Sequence, residues 1–207
     1  MASKERGLWF HILDVLFNII VIVAVVALIR TFLVAPFEVE GSSMDDTLRD
    51  HEYIIINKLA YYIGYPQRGD VVVFNPPGTD HGKYYVKRVI GEPGDEVIIQ
   101  DGYVYLRKNG ESEVRKLEED YLSDRNHGKT FRHPPSSDDR TKVVYDVPQS
   151  FYFVLGDNRK GSSDSRGFMV DGKPEPFVPS SDIKGKVWFV ALPVTKIHAL
   201  VQPQYGF

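Results

Sequence analysis

Two segments of the sequence concentrate side chains that could carry out nucleophilic chemistry. Residues 41–44 (GSSM) place two serine hydroxyls side by side shortly after a long apolar run. Residues 156–166 (GDNRKGSSDSR) form a polar, glycine-containing stretch directly after the apolar run 151–155. A serine hydroxyl becomes an effective nucleophile when a neighbouring base removes its proton. The first segment is therefore a candidate nucleophile site, whereas the second is either part of that site or a solvated turn.

Lys87 is the candidate base. In a strand over residues 86–90, alternation places Tyr85, Lys87 and Val89 on one face of the sheet. Burial among apolar groups disfavours an ammonium and can lower a lysine pKa by up to about 3–5 units from about 10.4. Lys87 could then accept a proton near neutral pH. The alternative is an amphipathic lysine that extends its charge into water from an edge strand.

Other chemistries find little support in the sequence. The chain has no cysteine, and its six histidines show no paired spacing that is typical of metal ligands. It lacks a P-loop, a G-x-G-x-x-G motif and a G-x-S-x-G elbow, although spacing alone does not exclude a Ser–His–Asp triad. We therefore expect no histidine-based metal site. The net charge of −3 gives no basic footprint, so no nucleic-acid partner is expected.

The segments that must position these side chains read as β structure. Short runs rich in β-branched residues are separated by Gly, Pro, Asn and Asp. They lie at residues 53–57, 71–74, 86–90, 97–100, 103–106, 142–145, 151–155 and 186–190. Asp101-Gly102 between two of them suits a type I′ hairpin turn. The polar residues 109–141 are expected to be a variable excursion inserted into a mostly β domain.

The N-terminal segment is of a different kind. Residues 12–29 are apolar apart from Asp14 and Asn18, which is long enough for a helix that spans a bilayer. A cleaved signal peptide and a buried core helix are the alternatives, but a signal peptide's apolar region is normally shorter, and few soluble helices are apolar on every face. Lys4 and Arg6 precede the segment, so positive charge favours a cytoplasmic N-terminus. This predicts a single-pass anchor in residues 1–35 and an extracytoplasmic catalytic domain in residues 36–207.

Four sequence boxes, taken together, resemble a known family. They are residues 40–48 (EGSSMDDTL), 68–74 (RGDVVVF), 85–95 (YVKRVIGEPGD) and 156–166 (GDNRKGSSDSR). Their order and the preceding anchor resemble the bacterial type I signal peptidases, of the Gram-positive type. The resemblance implies a membrane-bound serine endopeptidase with a Ser/Lys dyad on a mostly β fold, which needs no metal and no cofactor. Its partners would be the lipid bilayer and preprotein signal peptides with small residues before the cut.

The resemblance also implies roles for individual residues. Ser43 matches the nucleophile, and its backbone N–H would contribute to the oxyanion hole. Lys87 matches the general base, and Ser162 matches a serine that positions this lysine. The residues that match a supporting polar network are Asp157, Asp164 and Arg166.

The chain departs from the family pattern at several places. Asp46 stands where the family usually has proline, which puts the shape of the local turn in question. Gly41 stands where some members carry a serine that donates to the oxyanion. Two further readings stay open. One is a catalytically silent, membrane-tethered relative, although the presence of both Ser43 and Lys87 argues against it. The other is a Ser/Lys self-cleaving regulator, which would need a DNA-binding domain in place of the membrane span.

Overall fold

A long apolar helix leads directly into the first strand of the molecule. The computed structural model describes residues 2–79, 82–131 and 142–205. Helix α1 (Ala2–Leu28) continues through a π-helical turn (Ile29–Leu33) into strand β1. From residue 7 to residue 32 every side chain of this segment is exposed, so it does not pack as a core helix. A helix that is apolar on all sides and satisfies its own backbone hydrogen bonds is suited to lipid.

The rest of the described chain is mostly β, as the sequence predicts. The strands are β1 (Val34–Glu38), β2 (Tyr53–Asn57), β3 (Val71–Phe74), β4 (Tyr85–Gly91), β5 (Glu96–Gln100), β6 (Tyr103–Arg107), β7 (Arg115–Lys116), β8 (Val143–Asp146), β9 (Phe151–Leu155), β10 (Met169–Val170), β11 (Lys173–Pro174), β12 (Val178–Pro179), β13 (Ile183–Leu192) and β14 (His198–Ala199). A one-turn helix, α2 (Ala60–Ile63), lies between β2 and β3. Each predicted strand coincides with or overlaps one of these strands. The sequence patterns missed β1, which contains Pro36, because proline demotes a run to an edge or non-strand.

The strands form two main antiparallel sheets. The larger has the order β1-β2-β13-β3-β4-β9-β12, with β14 also paired to β13. The smaller has the order β7-β6-β5-β8, and β10 and β11 form a separate hairpin. In this arrangement β4 is an interior strand, whereas β1 lies at the edge of the larger sheet. Lys87 itself is buried, so the alternative of an edge-strand lysine that extends its charge into water is wrong.

Alternating side chains of the larger sheet fill separate parts of the core. On β3, Val71 and Val73 pack in one cluster with Met44, while Val72 and Phe74 pack in another. All four β3 residues are buried, which is typical of a strand covered on both faces. Met44 belongs to the turn that follows β1. The core therefore anchors the segment that carries Ser43.

The β5–β6 hairpin confirms the predicted turn. Gln100 pairs with Tyr103 across a two-residue loop. Asp101 and Gly102 both have positive φ, 52° and 83°, as a type I′ turn requires.

The described part of the predicted excursion packs against this hairpin and the core. Strand β7 pairs with β6, and Leu117 is buried in the core cluster that contains Val104. The Thr130 N–H donates to the Gly102 carbonyl at 2.9 Å. Residues 132–141 lie outside the described residues. The boundaries of the excursion and of the two predicted domains stay predictions.

Candidate active site

Ser43 lies in a tight turn whose neighbouring residues are anchored in the hydrophobic core. The turn follows β1 and spans residues 42–48, where the Asp45 N–H donates to the Ser42 carbonyl at 3.1 Å and the Leu48 N–H donates to the Met44 carbonyl at 2.8 Å. Met44 and Leu48 are fully buried on either side of the turn. Ser43 itself is half-buried. The two apolar anchors fix the backbone of the turn and leave the serine hydroxyl at the surface of a cleft.

Lys87 reaches this hydroxyl from β4. Its Nζ lies 2.7 Å from Ser43 Oγ and 2.8 Å from the Val86 carbonyl oxygen. Lys87 is only 3% exposed. Lys87 and Ser43 are 44 positions apart in sequence, so the fold brings them into contact. As an ammonium Lys87 donates to the serine oxygen, and as a neutral amine it can accept the serine proton. The structure thus brings together the candidate nucleophile and the candidate base.

Burial sets the proton affinity of Lys87. Removal from water lowers the pKa of the Lys87 amine from 10.5 to about 8, against the opposing charges of Asp164 and Asp157. Neither carboxylate makes a hydrogen bond to Lys87 Nζ within the described chain. Near pH 8 about half of the Lys87 side chains would then be neutral, compared with well under 1% at the ordinary pKa. This environment suits a general base.

The polar segment 156–166 packs directly against the serine turn. The Asn158 N–H donates to the Ser43 carbonyl at 3.1 Å, and Asn158 Nδ2 donates to the Ser42 carbonyl at 3.0 Å. A Cβ at Gly156 would lie 2.5 Å from the Ser43 carbonyl oxygen and 2.1 Å from Ser162 Oγ, so only glycine permits this approach. The segment is therefore part of the site, and a purely solvated turn is excluded.

The four supporting residues predicted from the sequence are all buried near the dyad. Arg166 donates to Asp164 through Nε at 2.8 Å and through a terminal nitrogen at 2.7 Å. Burial works to raise the pKa of Asp164, but the charge and hydrogen bonds of Arg166 more than offset it and lower that pKa. Asp164 also accepts the Gly156 N–H at 3.0 Å. Through these contacts Asp164 links Gly156, at the start of segment 156–166, to Arg166 at its end.

Ser162 lies in the same buried layer. It is 4% exposed, and its hydroxyl faces Asp164, whose lowered pKa it supports. Among the described residues no hydrogen bond joins Ser162 Oγ to Lys87. The predicted role of Ser162 in positioning the lysine stays a prediction.

Asp157 binds Arg88, the residue that follows Lys87. Arg88, on the opposite face of β4, donates to both Asp157 carboxylate oxygens at 2.9 and 2.6 Å. Thr47 Oγ1 donates to the same carboxylate at 2.5 Å. Sequence reasoning assigned no role to Arg88 or Thr47. Strand alternation could have indicated a role for Arg88, because it places Arg88 on the face of β4 opposite Lys87. A cation that is buried on that face needs an anion of its own.

A cleft of about 590 Å³ opens above Ser43 and Lys87. Its apolar walls include Phe37, Val39, Ile54, Val73 and Val86. Gly41 lies in its lining and offers no side-chain donor. Within residues 2–79, 82–131 and 142–205, no group of three or more His, Asp or Glu side chains is arranged to hold a metal ion.

Comparison with known proteins identifies the family of this chain. A family model described as signal peptidase, peptidase S26, matches residues 12–192. Signal peptidase I of Bacillus licheniformis is 37% identical over 180 residues, which cover 87% of this chain and 88% of the relative. Signal peptidase I S of Bacillus subtilis (strain 168) is 40% identical over 166 residues, covering 80% and 82%.

Two further proteins extend the comparison. Signal peptidase IB of Staphylococcus aureus (strain COL) is 31% identical over 200 residues, covering 94% of this chain and 96% of the relative. A crystal structure of a signal peptidase I from Enterococcus faecalis V583 is 30% identical, covers 60% of this chain and 97% of that chain, and superposes with a TM-score of 0.41. The sequence matches extend through most of the chain. The chain therefore belongs to the signal peptidase family, peptidase S26, and is a serine endopeptidase.

Proposed function

We propose that this protein is a membrane-anchored endopeptidase that removes N-terminal signal peptides from exported preproteins, with Ser43 as nucleophile and Lys87 as general base. The observation that carries the proposal is the 2.7 Å contact between Ser43 Oγ and the buried Lys87 Nζ. Membership of the signal peptidase family supports the reaction and the substrate class.

The chemistry follows from these two side chains. Neutral Lys87 removes the proton of Ser43 as Oγ attacks the scissile carbonyl carbon, which forms a C–O bond and a tetrahedral oxyanion. The Ser43 N–H stabilises that oxyanion, without help from a side chain at Gly41. The C–N bond then breaks, and the Lys87 ammonium returns its proton to the leaving amine. Lys87 next deprotonates a water that attacks the carbonyl carbon of the acyl-serine ester. The C–O bond to Ser43 breaks, and the Lys87 ammonium returns the proton to Ser43 Oγ.

The backbone around the cleft supports an extended substrate. Strand β1 pairs with β2 alone within the described chain, so its outer edge is available. On β4 the pairing with β9 begins at Arg88, which leaves residues 85–87 paired only to β3. Both free edges contribute residues to the lining of the cleft. A preprotein segment could add to these edges as a strand, with alternate side chains entering the apolar pockets.

Small side chains before the cleavage site agree with such pockets. In the extended conformation, the first and third residues before the cut point to the same face. The apolar walls formed by Phe37, Ile54 and Val86 would receive them. We therefore include preproteins with an A-x-A-like site as substrates.

The N-terminal helix would place the reaction at the membrane. Helix α1 continues through the π-helical turn into β1, whose end lines the cleft. We infer a single-pass protein of the cell membrane with a cytoplasmic N-terminus and an extracytoplasmic catalytic domain. Preproteins carry an apolar segment of their own, so a shared bilayer raises their effective concentration at Ser43.

The test is cleavage of a preprotein by the detergent-solubilised full chain, followed by sequencing of the new N-terminus. We expect a single cut after the A-x-A segment with the wild type and none with Ser43→Ala. Ser112→Ala is the matched control, because Ser112 is exposed and lies outside the lining of the cleft. Wild-type protein that binds the preprotein without cutting it would refute the proposal in favour of a silent relative.

A further inference from the structure

The segment 119–130 bridges the turn that carries Ser43 and the polar segment that follows β9. One end of this bridge is Asp46, three residues after Ser43. A single carboxylate oxygen, Asp46 Oδ2, accepts hydrogen bonds from the Ser123 N–H at 2.9 Å, the Ser123 hydroxyl at 2.8 Å and Asn126 Nδ2 at 2.9 Å. Burial works to raise the pKa of Asp46, but these donors, with the charge of Arg125, lower it. The carboxylate is therefore an ionised acceptor that ties the serine turn to residues 123–126.

The other end of the bridge is Arg159, which lies fully buried in the polar segment. Arg159 donates to Glu119 at 3.0 and 2.5 Å and to Thr130 Oγ1 at 2.7 Å. Its neighbour Asn158 donates to the backbone of Ser43. These contacts close a ring that runs from Ser43 through Asp46, segment 119–130 and Arg159 back to Ser43.

The backbone at Asp46 has an unusual conformation for a residue that carries a side chain. Asp46 has a φ of 101°, a conformation that proline cannot adopt because its ring fixes φ near −65°. Aspartate tolerates positive φ better than most residues, and its carboxylate supplies the link to segment 119–130.

We propose that Asp46 is a positioning residue for the reaction: through Ser123 and Asn126 it uses segment 119–130 to hold Ser43 at contact distance from Lys87. The proposal rests on the proposed function. It makes segment 119–130 part of the machinery that orients the nucleophile. Among the described residues, Asp46 makes no side-chain hydrogen bond to Ser43 or Lys87 and does not line the cleft. We therefore expect its loss to affect the turnover step and to leave substrate binding unchanged.

The test compares kcat and KM for preprotein cleavage among matched variants. Asp46→Gly keeps the positive φ and removes the carboxylate, whereas Asp46→Asn keeps an acceptor oxygen without the charge. We expect kcat to fall by about ten- to a hundredfold in Asp46→Gly, and by less in Asp46→Asn, with KM unchanged within about twofold. The control is Asp146→Asn, which changes an exposed carboxylate on β8 outside the cleft and is expected to leave both constants unchanged.

A double-mutant cycle separates the bridge from a general loss of stability. Ser123→Ala is expected to lower kcat in the wild type but to cause no further loss in Asp46→Gly, because the contact is already absent. Hydrogen exchange gives a readout that does not depend on activity: amides of residues 42–48 and 119–130 should exchange faster in Asp46→Gly than in the wild type.

The outcomes are distinguishable. A wild-type kcat in Asp46→Gly, a change confined to KM, or additive losses in the cycle would overturn the positioning role. Unchanged exchange in Asp46→Gly would overturn the bridge itself. An inactive wild type whose exchange still depends on Asp46 would refute the proposed function and, with it, the catalytic meaning of the bridge.

Discussion

Lys87 and Arg88 are consecutive cations on β4, and their surroundings are opposite. Both are almost fully buried, at 3% and 2% exposed. Lys87 contacts a hydroxyl and a carbonyl, and burial lowers its pKa to about 8. Burial also works to lower the pKa of Arg88, but the charge and hydrogen bonds of Asp157 more than offset it and raise that pKa.

The difference shows how one strand can carry a base and a permanent charge side by side. Alternation directs the two side chains to opposite faces, one toward the cleft and one toward the interior network. A carboxylate paired with Lys87 would keep it protonated, and a missing carboxylate beside Arg88 would leave a buried charge uncompensated. The predictions below remove one feature of this contrast at a time.

The largest effect is expected when Lys87 becomes a permanent cation. Lys87→Arg should lose activity by about a thousandfold or more, as much as Lys87→Ala, because arginine does not deprotonate in a protein. Initial rates of preprotein cleavage measure this loss. Lys173→Arg, at an exposed position on β11, serves as the control and should retain full activity. Substantial turnover in Lys87→Arg would remove Lys87 from the role of base.

Removing the anion that pairs with Arg88 should mainly lower the stability of the protein. Asp157→Asn leaves Arg88 buried without its anion, and we expect the free energy of unfolding to fall by about 3–5 kcal/mol. In the double variant Arg88→Met/Asp157→Asn, the loss should be smaller than in Asp157→Asn alone. Denaturant titration measures both. Glu113→Gln, in an exposed ion pair, should leave stability unchanged. A double variant less stable than Asp157→Asn would contradict the account.

The lowered pKa of Lys87 should also appear in the pH dependence of stability. Between pH 8 and 10.5 the unfolded chain binds a proton at Lys87 that the folded chain has lost, so stability rises with pH in this window. Below about pH 8 the folded protein carries a constant penalty of about 3 kcal/mol. Lys87→Met removes the penalty.

We therefore expect the inactive Lys87→Met variant to be more stable than the wild type at pH 7. This advantage should shrink as the pH rises from 8 toward 10.5. Chemical unfolding of both proteins at pH 7, 9 and 10.5 measures the difference. An advantage that stays constant over this range would show that the lysine is not desolvated as proposed.

The smallest effects are expected at histidine. Four of the six histidines lie in the described residues, and none of these four lines the cleft: His11, His51, His127 and His198. Replacing each of the six in turn with glutamine should change the cleavage rate by less than about threefold. A loss near a thousandfold at any one position would revive a Ser–His–Asp triad.

Local patterns predicted those parts of the molecule that depend on nearby residues. Strand alternation indicated the apolar face of Lys87, and Asp101-Gly102 indicated its turn. The contacts that complete the site join residues far apart in sequence, such as Arg159 with Glu119 and Asp46 with Ser123. Periodicity carries no information about such pairs. Asp46 was visible as a departure from the family pattern, but its partners required the fold.

The central claim, that a neutral Lys87 activates Ser43, is tested most directly by the pH dependence of kcat/KM for preprotein cleavage. This profile reports the pKa values of essential groups in the free enzyme. We predict that kcat/KM rises with pH to a plateau, with its inflection near the Lys87 pKa of about 8. Lys87→Arg should stay at background throughout. An inflection near pH 6.5, or a rate still increasing above pH 10, would contradict the account.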